Sequence, residues 1–432
     1  MGDMDSMSRE TRKEQLRQRM IRSGESVPPR VVRGPVIEEP SDETDDEQFQ
    51  ELLKKRRRKK LVIGLVIAGM LAVLAFAGYL YLDQYQFQSY KVSWETEMTE
   101  GGFAQYVTFG DNVLKYSKDG ATYIGAKGTE IWVQPYEMKA PIISVSGEYA
   151  VIADQQGNTI YICDKSGCIG QAVTQLPILK VTVSSLGLTA AILDDGTANK
   201  IAYYKKDGTS MDMDIRTSLA GEDGYPLDIS LSPNNHLLVA SFVYVNSGVM
   251  KNKVVFYNFS EVGQNVVDRL VGGFQDEYAS KLAPRVKFLT DTYACVFTND
   301  SLDFYSLRNE MSPKLLTQQM QENEIKSVFY CSDYAGCITY NSEGEEEYTL
   351  QVYRSNGDKV FSVPFSYAYT SADIDSSRVI LYNENSCQVY NMNGKLKFAG
   401  EFDFSVSRIR SGRLPNSLIL TGPQTMKEIV LK

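Results

Sequence analysis

Residues 160–167 read IYICDKSG, a short run of β-branched and aromatic side chains followed by charged residues and a turn glycine. Runs of this kind, bounded by Gly, Asn, Asp and Ser, are typical of strands joined by tight hairpins. Glycine is favoured at the turn because a tight hairpin places one residue at positive φ. The stretch therefore predicts a strand and the hairpin that follows it.

The same pattern recurs along the chain, and its spacing predicts the fold. The distances from one tyrosine of the pattern to the next are 38, 43, 53, 48, 48 and 37 residues, and a further copy, EIVLK, ends the chain. The repeated tyrosines are Tyr123, Tyr161, Tyr204, Tyr257, Tyr305, Tyr353 and Tyr390. Periods of roughly 40 to 50 residues with several short strands per unit predict an all-β fold, a β-propeller. We expect each tyrosine ring to be half-buried between sheets, with its hydroxyl in water.

Each repeat divides into four strands, and the two ends of the chain share one unit. The second unit, for example, reads IISVS, YAVIADQ, TIYICD and CIGQAV. The last unit supplies VSRIRS, SLILTG and KEIVLK and then stops, whereas residues 90–98 (YKVSWETEM) form a strand with no unit of its own. Pairing the two ends closes the ring and removes an exposed sheet edge. This pairing predicts eight blades; seven is the alternative, if the first hairpin belongs to the last blade.

An apolar segment precedes the repeats. Residues 61–82 contain no charge, which at about 1.5 Å per residue is enough to cross a hydrocarbon core of about 30 Å. Residues 54–60 (KKRRRKK) lie on one side, and the other side has no basic residue before Lys91. This asymmetry predicts a cytoplasmic N-terminus and an outer C-terminal domain. Residues 75–77 (AFA) resemble a signal cleavage site, but the long preamble favours an uncleaved, single-pass anchor.

These features divide the chain into four parts. We expect residues 1–60 to be a disordered cytoplasmic tail, 61–82 a transmembrane helix, 83–89 a stalk and 90–432 the propeller. Up to residue 60 there are 15 basic and 13 acidic side chains, a net of +2; from residue 83 onward there are 30 and 41, a net of −11. An acidic outer domain repels phosphate backbones, which excludes nucleic acid as its partner.

The six cysteines all follow the apolar segment. Cys163 with Cys168 and Cys331 with Cys337 are spaced so that each pair could bridge neighbouring strands. Buried free thiols are the alternative, because a domain of this size needs no covalent staples. The sequence leaves both open.

Several stretches resemble known propellers. Residues 123–132 (YIGAKGTEIW) are similar to the third-to-fourth-strand hairpin of a quinoprotein-like blade, in which an outer-strand tryptophan docks on the next blade. Trp94 would occupy the equivalent outer strand of the closing blade, and residues 232–241 (SPNNHLLVAS) resemble a WD40-like turn. From the helix to the C-terminus the layout is similar to an uncharacterised membrane-anchored propeller family of clostridia-like Gram-positive bacteria. That resemblance implies a propeller but no chemistry.

Residues suited to catalysis are few. His236 is the one histidine, and a single histidine excludes His-ligated zinc. It lies in a predicted turn, which disfavours a Ser-His-Asp triad. The sequence lacks the vicinal cysteine pair that quinone-dependent dehydrogenases use beside their cofactor, so we expect no cofactor, and with one histidine we expect no metal site of the His-ligated type. Acidic pairs that could act in glycoside hydrolysis are Asp194 with Asp195, Asp212 with Asp214, and Asp373 with Asp375; the stretch 154–158 (DQQGN) contains calcium-type ligands. Turn chemistry is the favoured explanation of these acids, because acidic turns are expected on a hairpin-rich, net-negative surface. We therefore identify no catalytic, cofactor or metal residue.

The sequence favours an interaction protein. We expect an anchored extracytoplasmic propeller that binds a protein or a cell-envelope partner without catalysing a reaction. The alternative is a carboxylate-dependent polysaccharide hydrolase or lyase with acids lining the central channel. A further possibility is signalling through pairing of the apolar helix at Gly64, Ala68 and Ala72.

Overall fold

The computed structural model describes residues 43–98, 104–218, 223–342 and 344–432, with the backbone alone described for 43–58, 79–82 and 212. The chain divides into two compact units, Met1–Gly78 and Tyr79–Lys432. Each unit is described by itself below.

A long helix, α1 (Glu43–Gln84), contains the apolar segment. Its span Lys59–Gly78 has a mean hydropathy of 2.6 and is long and apolar enough to cross a membrane, a property it shares with signal sequences. Residues 43–60 were assigned to the disordered tail, but they are helical, because the Glu, Leu, Lys and Arg found there are strong helix formers. Residues 1–42 of the predicted tail lie outside the described part of the chain.

The second unit consists of eight four-stranded antiparallel sheets, the blades. Blade 1 contains β2 (Gln105–Phe109), β3 (Asn112–Tyr116), β4 (Gly120–Ile124) and β5 (Glu130–Pro135); blade 2 β6 (Pro141–Ser146), β7 (Tyr149–Asp154), β8 (Thr159–Asp164) and β9 (Gly167–Val173). Blade 3 contains β10 (Ile178–Val183), β11 (Thr189–Asp194), β12 (Ala198–Tyr204) and β13 (Ser210–Ser218); blade 4 β14 (Tyr225–Leu231), β15 (Leu237–Asn246), β16 (Val249–Asn258) and β17 (Leu270–Phe274).

The remaining blades follow the same order. Blade 5 contains β18 (Arg285–Phe288), β19 (Tyr293–Phe297), β20 (Ser301–Ser306) and β21 (Lys314–Met320); blade 6 β22 (Ile325–Tyr330), β23 (Tyr334–Tyr340), β24 (Tyr348–Arg354) and β25 (Lys359–Phe365). Blade 7 contains β26 (Ser371–Ile374), β27 (Arg378–Tyr382), β28 (Ser386–Asn391) and β29 (Leu396–Glu401); blade 8 β30 (Arg408–Ser411), β31 (Ser417–Thr421), β32 (Thr425–Leu431) and β1 (Tyr90–Glu97). Short 3-10 helices lie in connecting loops at Ala126–Gly128, Val262–Asn265, Val267–Arg269 and Asp276–Tyr278.

The ring closes where the two ends of the propeller meet. β1 pairs antiparallel with β32, in a register that runs from Tyr90 opposite Leu431 to Glu97 opposite Thr425. Trp94 lies opposite Glu428, and its Nε1 donates a hydrogen bond to the Oε2 of that residue at 2.7 Å. The prediction of an eight-bladed propeller closed by residues 90–98 is confirmed, and the seven-bladed alternative is wrong.

The hydrophobic core lies between blades rather than at one centre. Eight clusters of buried side chains occur in the described residues, and each joins two neighbouring blades. The cluster between blades 4 and 5, for example, packs Phe256 against Val296 and Tyr305. The cluster between blades 8 and 1 is the smallest, with four buried members, and Trp94 packs against it. The closing interface therefore depends more on strand pairing than the others do.

The repeated tyrosines occupy these interfaces. As predicted, their rings pack between blades. The prediction of half-burial is wrong for six of the seven, which are buried, and holds for Tyr161. The prediction of a wet hydroxyl is wrong for two of them: the Tyr123 hydroxyl donates to the carbonyl of Phe109 at 3.2 Å, and the Tyr305 hydroxyl meets that of Tyr278 at 2.8 Å. Burial raises the pKa of Tyr305. At these positions internal hydrogen bonds replace water.

The cysteines show both predicted states. Cys163 and Cys168, at the hairpin between β8 and β9, form a disulfide. Cys331 and Cys337 do not pair; these two are free thiols, as are Cys295 and Cys387. Burial raises the pKa of Cys337 and of Cys387 to about 12, so both behave as small apolar side chains.

Replacing Trp94 by Ala should weaken ring closure. The substitution removes a large ring from the smallest core cluster and leaves the Glu428 carboxylate without its donor. We expect the free energy of unfolding to fall by about 2 kcal/mol, measured by chemical denaturation of the full chain in detergent. Val92→Ala, at an exposed position on the same strand, is the matched control and should cost less than about 0.5 kcal/mol. Equal losses for the two variants would show that Trp94 does not hold the ring.

Candidate functional site

The propeller has two faces that the strand directions distinguish. The first strand of each blade is the innermost, since first strands contact one another around the axis, as β6, β10, β14 and β18 do in sequence. We name the side on which first strands begin the N-face and the side on which they end the C-face. Turns between second and third strands therefore belong to the N-face.

The chain joins the propeller at the C-face of blade 7. Asp83 accepts hydrogen bonds from Lys395 Nζ at 2.6 Å and Asn393 Nδ2 at 2.7 Å, in the turn between β28 and β29. The hydrogen bond from Lys395 is the largest cause that lowers the pKa of Asp83. The N-face is thus the side away from this attachment.

The N-face opens into a cavity of about 1170 Å³, which we name the N-face mouth. It is lined by the first strands of four consecutive blades, β2, β6, β10 and β14, and by turns of blades 1 and 2. Apolar walls come from Ile142, Leu179 and Leu227, while Tyr225 is 37% exposed at the rim. A concave site with apolar walls and a polar rim is suited to binding.

Lysines line the rim and the wall of this mouth. Lys118 and Lys139 are exposed in the loops of blades 1 and 2. Among the described residues, neither of their ammonium groups has an ion-pair partner. Asp119 is the one acidic side chain among the described lining residues. The mouth therefore carries positive charge on a domain that is acidic overall.

A buried carboxylate fixes the wall of the mouth to the next blades. Asp228, on β14, is 6% exposed, and its Oδ1 lies 2.8 Å from Lys180 Nζ on β10. Its Oδ2 accepts a hydrogen bond from the backbone N–H of Val286 on β18 at 2.9 Å. One side chain thereby joins the first strands of blades 3, 4 and 5.

A two-stranded ribbon rises from blade 4 beside the mouth. β15 and β16 pair over their full length, but β14 reaches only to Val243 and β17 begins its pairing at Val254, so the ribbon, residues 244–253, extends beyond both. Its turn, Ser247 and Gly248, has φ values of 53° and 79°, as a type I′ hairpin requires. At its tip Val245 and Met250 are 66% and 67% exposed. Exposed apolar side chains grouped in this way mark contact surfaces.

A second axial cavity, of about 410 Å³, lies on the C-face and contains one predicted acidic pair. Asp373 pairs with Arg408 at 2.9 Å and accepts a hydrogen bond from the Tyr382 hydroxyl at 3.2 Å. Burial raises the pKa of Asp373, and the nearby Arg408 opposes that rise. Asp375 accepts hydrogen bonds from the backbone N–H of Ser377 and from the Ser411 hydroxyl. Both acids line the channel, but each is already engaged.

The other acids singled out in the sequence lie apart from both cavities or close turns. Asp194 accepts a hydrogen bond from the Gly196 N–H at 2.9 Å. Asp214 binds Lys200 at 2.9 Å, and the hydrogen bond from Lys200 lowers its pKa. The partner acid, Asp212, is described by its backbone alone. The Asp194 carboxylate therefore stabilises a turn, and that of Asp214 joins two neighbouring strands.

His236 and the stretch 154–158 likewise have structural partners. His236 Nδ1 lies 2.9 Å from Glu310 Oε1, which links blade 4 to blade 5. Asp154 Oδ1 accepts hydrogen bonds from the N–H groups of Lys139 and Ala140, at 2.9 Å each. In the described part of the chain, no three His, Cys, Asp or Glu side chains come together as a metal site would require.

Sequence reasoning did not find the N-face mouth or the ribbon. The mouth is lined by residues from four blades, and no local sequence motif predicts a cavity of this kind. The ribbon did leave a signal: SFVYVNSGVMKNKVVFYN, residues 241–258, holds two long strands on either side of Ser-Gly, longer than the runs of the other repeats.

Comparisons with solved structures find similar chains at low sequence identity. BamB from Moraxella catarrhalis superposes with a TM-score of 0.48 at 10% identity, covering 79% of this chain and 100% of that chain. A structure described as the eukaryotic initiation factor gives 0.47 at 14% identity, with 81% and 88% covered. Hsv2 of Kluyveromyces lactis gives 0.45 at 11% identity, with 71% and 100% covered. Because these scores are below 0.5, the fold rests on the blades described above.

Sequence comparison identifies one relationship. No curated protein matches the sequence significantly. A family model described as a family of unknown function, DUF5711, matches residues 83–431. The match begins at Asp83, which joins the C-face, and extends through the closing strand β32.

Replacing Asp228 by Ala should destabilise the wall of the mouth. The change leaves the Val286 N–H and Lys180 without their acceptor at a buried position. We expect a loss of about 2–3 kcal/mol in the free energy of unfolding, and a smaller loss for Asp228→Asn, which keeps an acceptor oxygen. Asp195→Ala, in an exposed turn, is the control and should change stability by less than about 0.5 kcal/mol. A neutral Asp228→Ala variant would contradict the assigned network.

Proposed function

The chain belongs to the DUF5711 family, whose function is unknown, and we propose that it is a membrane-anchored, extracytoplasmic propeller that binds a protein partner at its N-face. The single observation that carries this proposal is the juxtaposition of the N-face mouth and the ribbon. Tyr225 lines the mouth and pairs with Val243 at the base of the ribbon, so the cavity and the apolar tip form one surface.

The surface combines the elements of a protein-binding site. The ribbon supplies exposed apolar side chains on a two-stranded element with a tight turn, and the mouth supplies a concave pocket with a half-exposed tyrosine at its rim. Aromatic and aliphatic side chains around a desolvated pocket contribute most of the energy in protein interfaces. The proposed partner inserts a segment into the mouth and packs against Val245 and Met250.

Two observations support the extracytoplasmic location. The basic run 54–60 precedes the apolar span, while the other flank has no basic residue before Lys91. The disulfide between Cys163 and Cys168 suits an oxidising compartment. The proposed orientation places residues 83–432 outside and the N-terminus in the cytoplasm.

The hydrolase alternative would use Asp373 and Asp375 in the C-face cavity. Their contacts favour the binding proposal: Arg408 and Tyr382 hold Asp373, and donors of its own turn hold Asp375. A general acid must be free to transfer its proton to a bound substrate.

Site-specific photocrosslinking in cells tests the binding surface. A photoreactive phenylalanine analogue at Val245 should give one discrete higher-mass adduct, because the ribbon tip lies in the proposed interface. The same analogue at Leu414, which is 54% exposed against 66% for Val245 but lies in a C-face turn of blade 8, is the matched control and should give none. Adducts at Leu414 alone would move the binding surface to the C-face and contradict the proposal.

Antibody accessibility tests the orientation. An epitope tag placed after Lys432 should be stained on intact protoplasts, because the proposal locates the propeller outside. A tag at the N-terminus should be stained only after permeabilisation. The reverse pattern would contradict the proposed topology and leave the binding surface to be tested inside the cell.

A further inference from the structure

Charge is distributed unevenly between the axis of the propeller and its exterior. The eight first strands carry six basic residues and two acidic residues, a net of +4. The basic residues are Lys180, Arg285, Lys287, Lys326, Arg408 and Arg410; the acidic ones are Asp228 and Asp373. Since residues 83–432 have a net charge of −11, the remainder of the domain carries −15. The axis is thus positive within an acidic disc.

The two acids of the first strands each neutralise one of the basic residues. Asp228 pairs with Lys180 at 2.8 Å, and Asp373 with Arg408 at 2.9 Å. Within the described residues, the remaining four basic side chains of the first strands form no ion pair. No described carboxylate in direct contact therefore cancels their charge.

Aromatic rings, rather than carboxylates, hold two of these four. Lys326 Nζ lies 3.9 Å from the ring centre of Tyr348 and 4.5 Å from that of Tyr369. Lys287 Nζ lies 5.4 Å from the ring centre of Tyr330. A cation above a ring is positioned by the ring quadrupole, but its net charge is not cancelled. These contacts position the ammonium groups of Lys287 and Lys326 and leave their positive charge in place.

The other two lie at opposite ends of the axis. Arg285 is exposed at the first position of β18, on the N-face. Arg410 lines the C-face cavity and donates to the Ser411 carbonyl at 3.3 Å, with Asp111 and Glu428 as nearby acids. At the N-face, Arg285 and Lys326 on one side of the axis therefore add to the positive charge of Lys118 and the other lysines of the mouth.

From this arrangement we infer that the axis takes an extended protein segment that is both acidic and apolar. The inference rests on the proposed function and names the chemistry of its partner. The acidic exterior repels such a segment and the basic axis attracts it, which focuses binding on the mouth. Ile142, Leu179 and Leu227 supply apolar walls, which a purely hydrophilic polyanion would leave unused.

A direct test uses a fluorescent decapeptide of alternating Asp and Leu, titrated by anisotropy against the full chain in detergent. We expect this peptide to bind at least tenfold more tightly than the matching Asn/Leu or Lys/Leu peptide. Its dissociation constant should rise at least tenfold between 50 and 500 mM NaCl, because salt screens the attraction. Tighter binding of a hyaluronan oligosaccharide than of the Asp/Leu peptide would overturn the protein-segment assignment.

A matched pair of triple variants locates the attraction. Arg285→Gln with Lys287→Met and Lys326→Met removes three axial charges while keeping the hydrocarbon packing over the rings. Lys91→Gln with Lys127→Met and Lys314→Met removes three exposed charges away from the first strands. The axial variant should weaken binding at least tenfold and the outer variant less than twofold; equal weakening would overturn the inference. If the axial variant is unstable, the exposed Arg285→Gln change alone should weaken binding about threefold, and no change would count against the inference.

The failure of this inference differs from the failure of the proposed function. A discrete adduct at Val245 together with no binding of the Asp/Leu peptide would retain the N-face surface and overturn its acidic partner. The absence of any adduct at Val245 would overturn the N-face surface itself.

Discussion

The antiparallel pairing of β1 with β32 is the constraint on which the rest of the structure depends. It joins segments at opposite ends of the propeller sequence, with Trp94 and Glu428 separated by 334 residues, and adds the fourth strand to a blade whose other three strands come from the C-terminal segment. Without it, blades 8 and 1 would be joined by a cluster of four buried side chains and by polar contacts such as that between Arg408 and Thr108. Both the N-face mouth and the C-face cavity lie along the axis of the ring, and the C-face cavity spans blades 8 and 1, so their geometry follows from closure.

Closure also determines which groups surround the basic side chains of the first strands. First strands approach one another around the ring, and long basic side chains on them can lie over tyrosine rings or pair with the few acids present. An acidic exterior keeps the domain soluble, and the axis retains the opposite charge. Asp83 fastens the beginning of the domain to the C-face turn of blade 7.

The sequence was sufficient for features that depend on local repetition. Tyrosine spacing predicted the repeated sheets, and the strand around Trp94 predicted the closing blade. Features set by neighbours in space were missed. Residues 314–320 (KLLTQQM) have a mixed polar sequence without strand alternation, yet β21 forms there, because its pairing with β20 supplies the order that the sequence does not. The dry hydroxyls of Tyr123 and Tyr305, the basic axis and the mouth all depend on which blades meet, which no single repeat encodes.

Hydrogen exchange of the full chain, followed by mass spectrometry, tests closure most directly. The account predicts that those amides of residues 90–97 that bond to β32 exchange as slowly as those of β31, while the amides on the outer edge of β1 exchange faster. Exchange of residues 90–97 at the rate of an unstructured peptide, while β31 stays protected, would show an open ring and contradict the account.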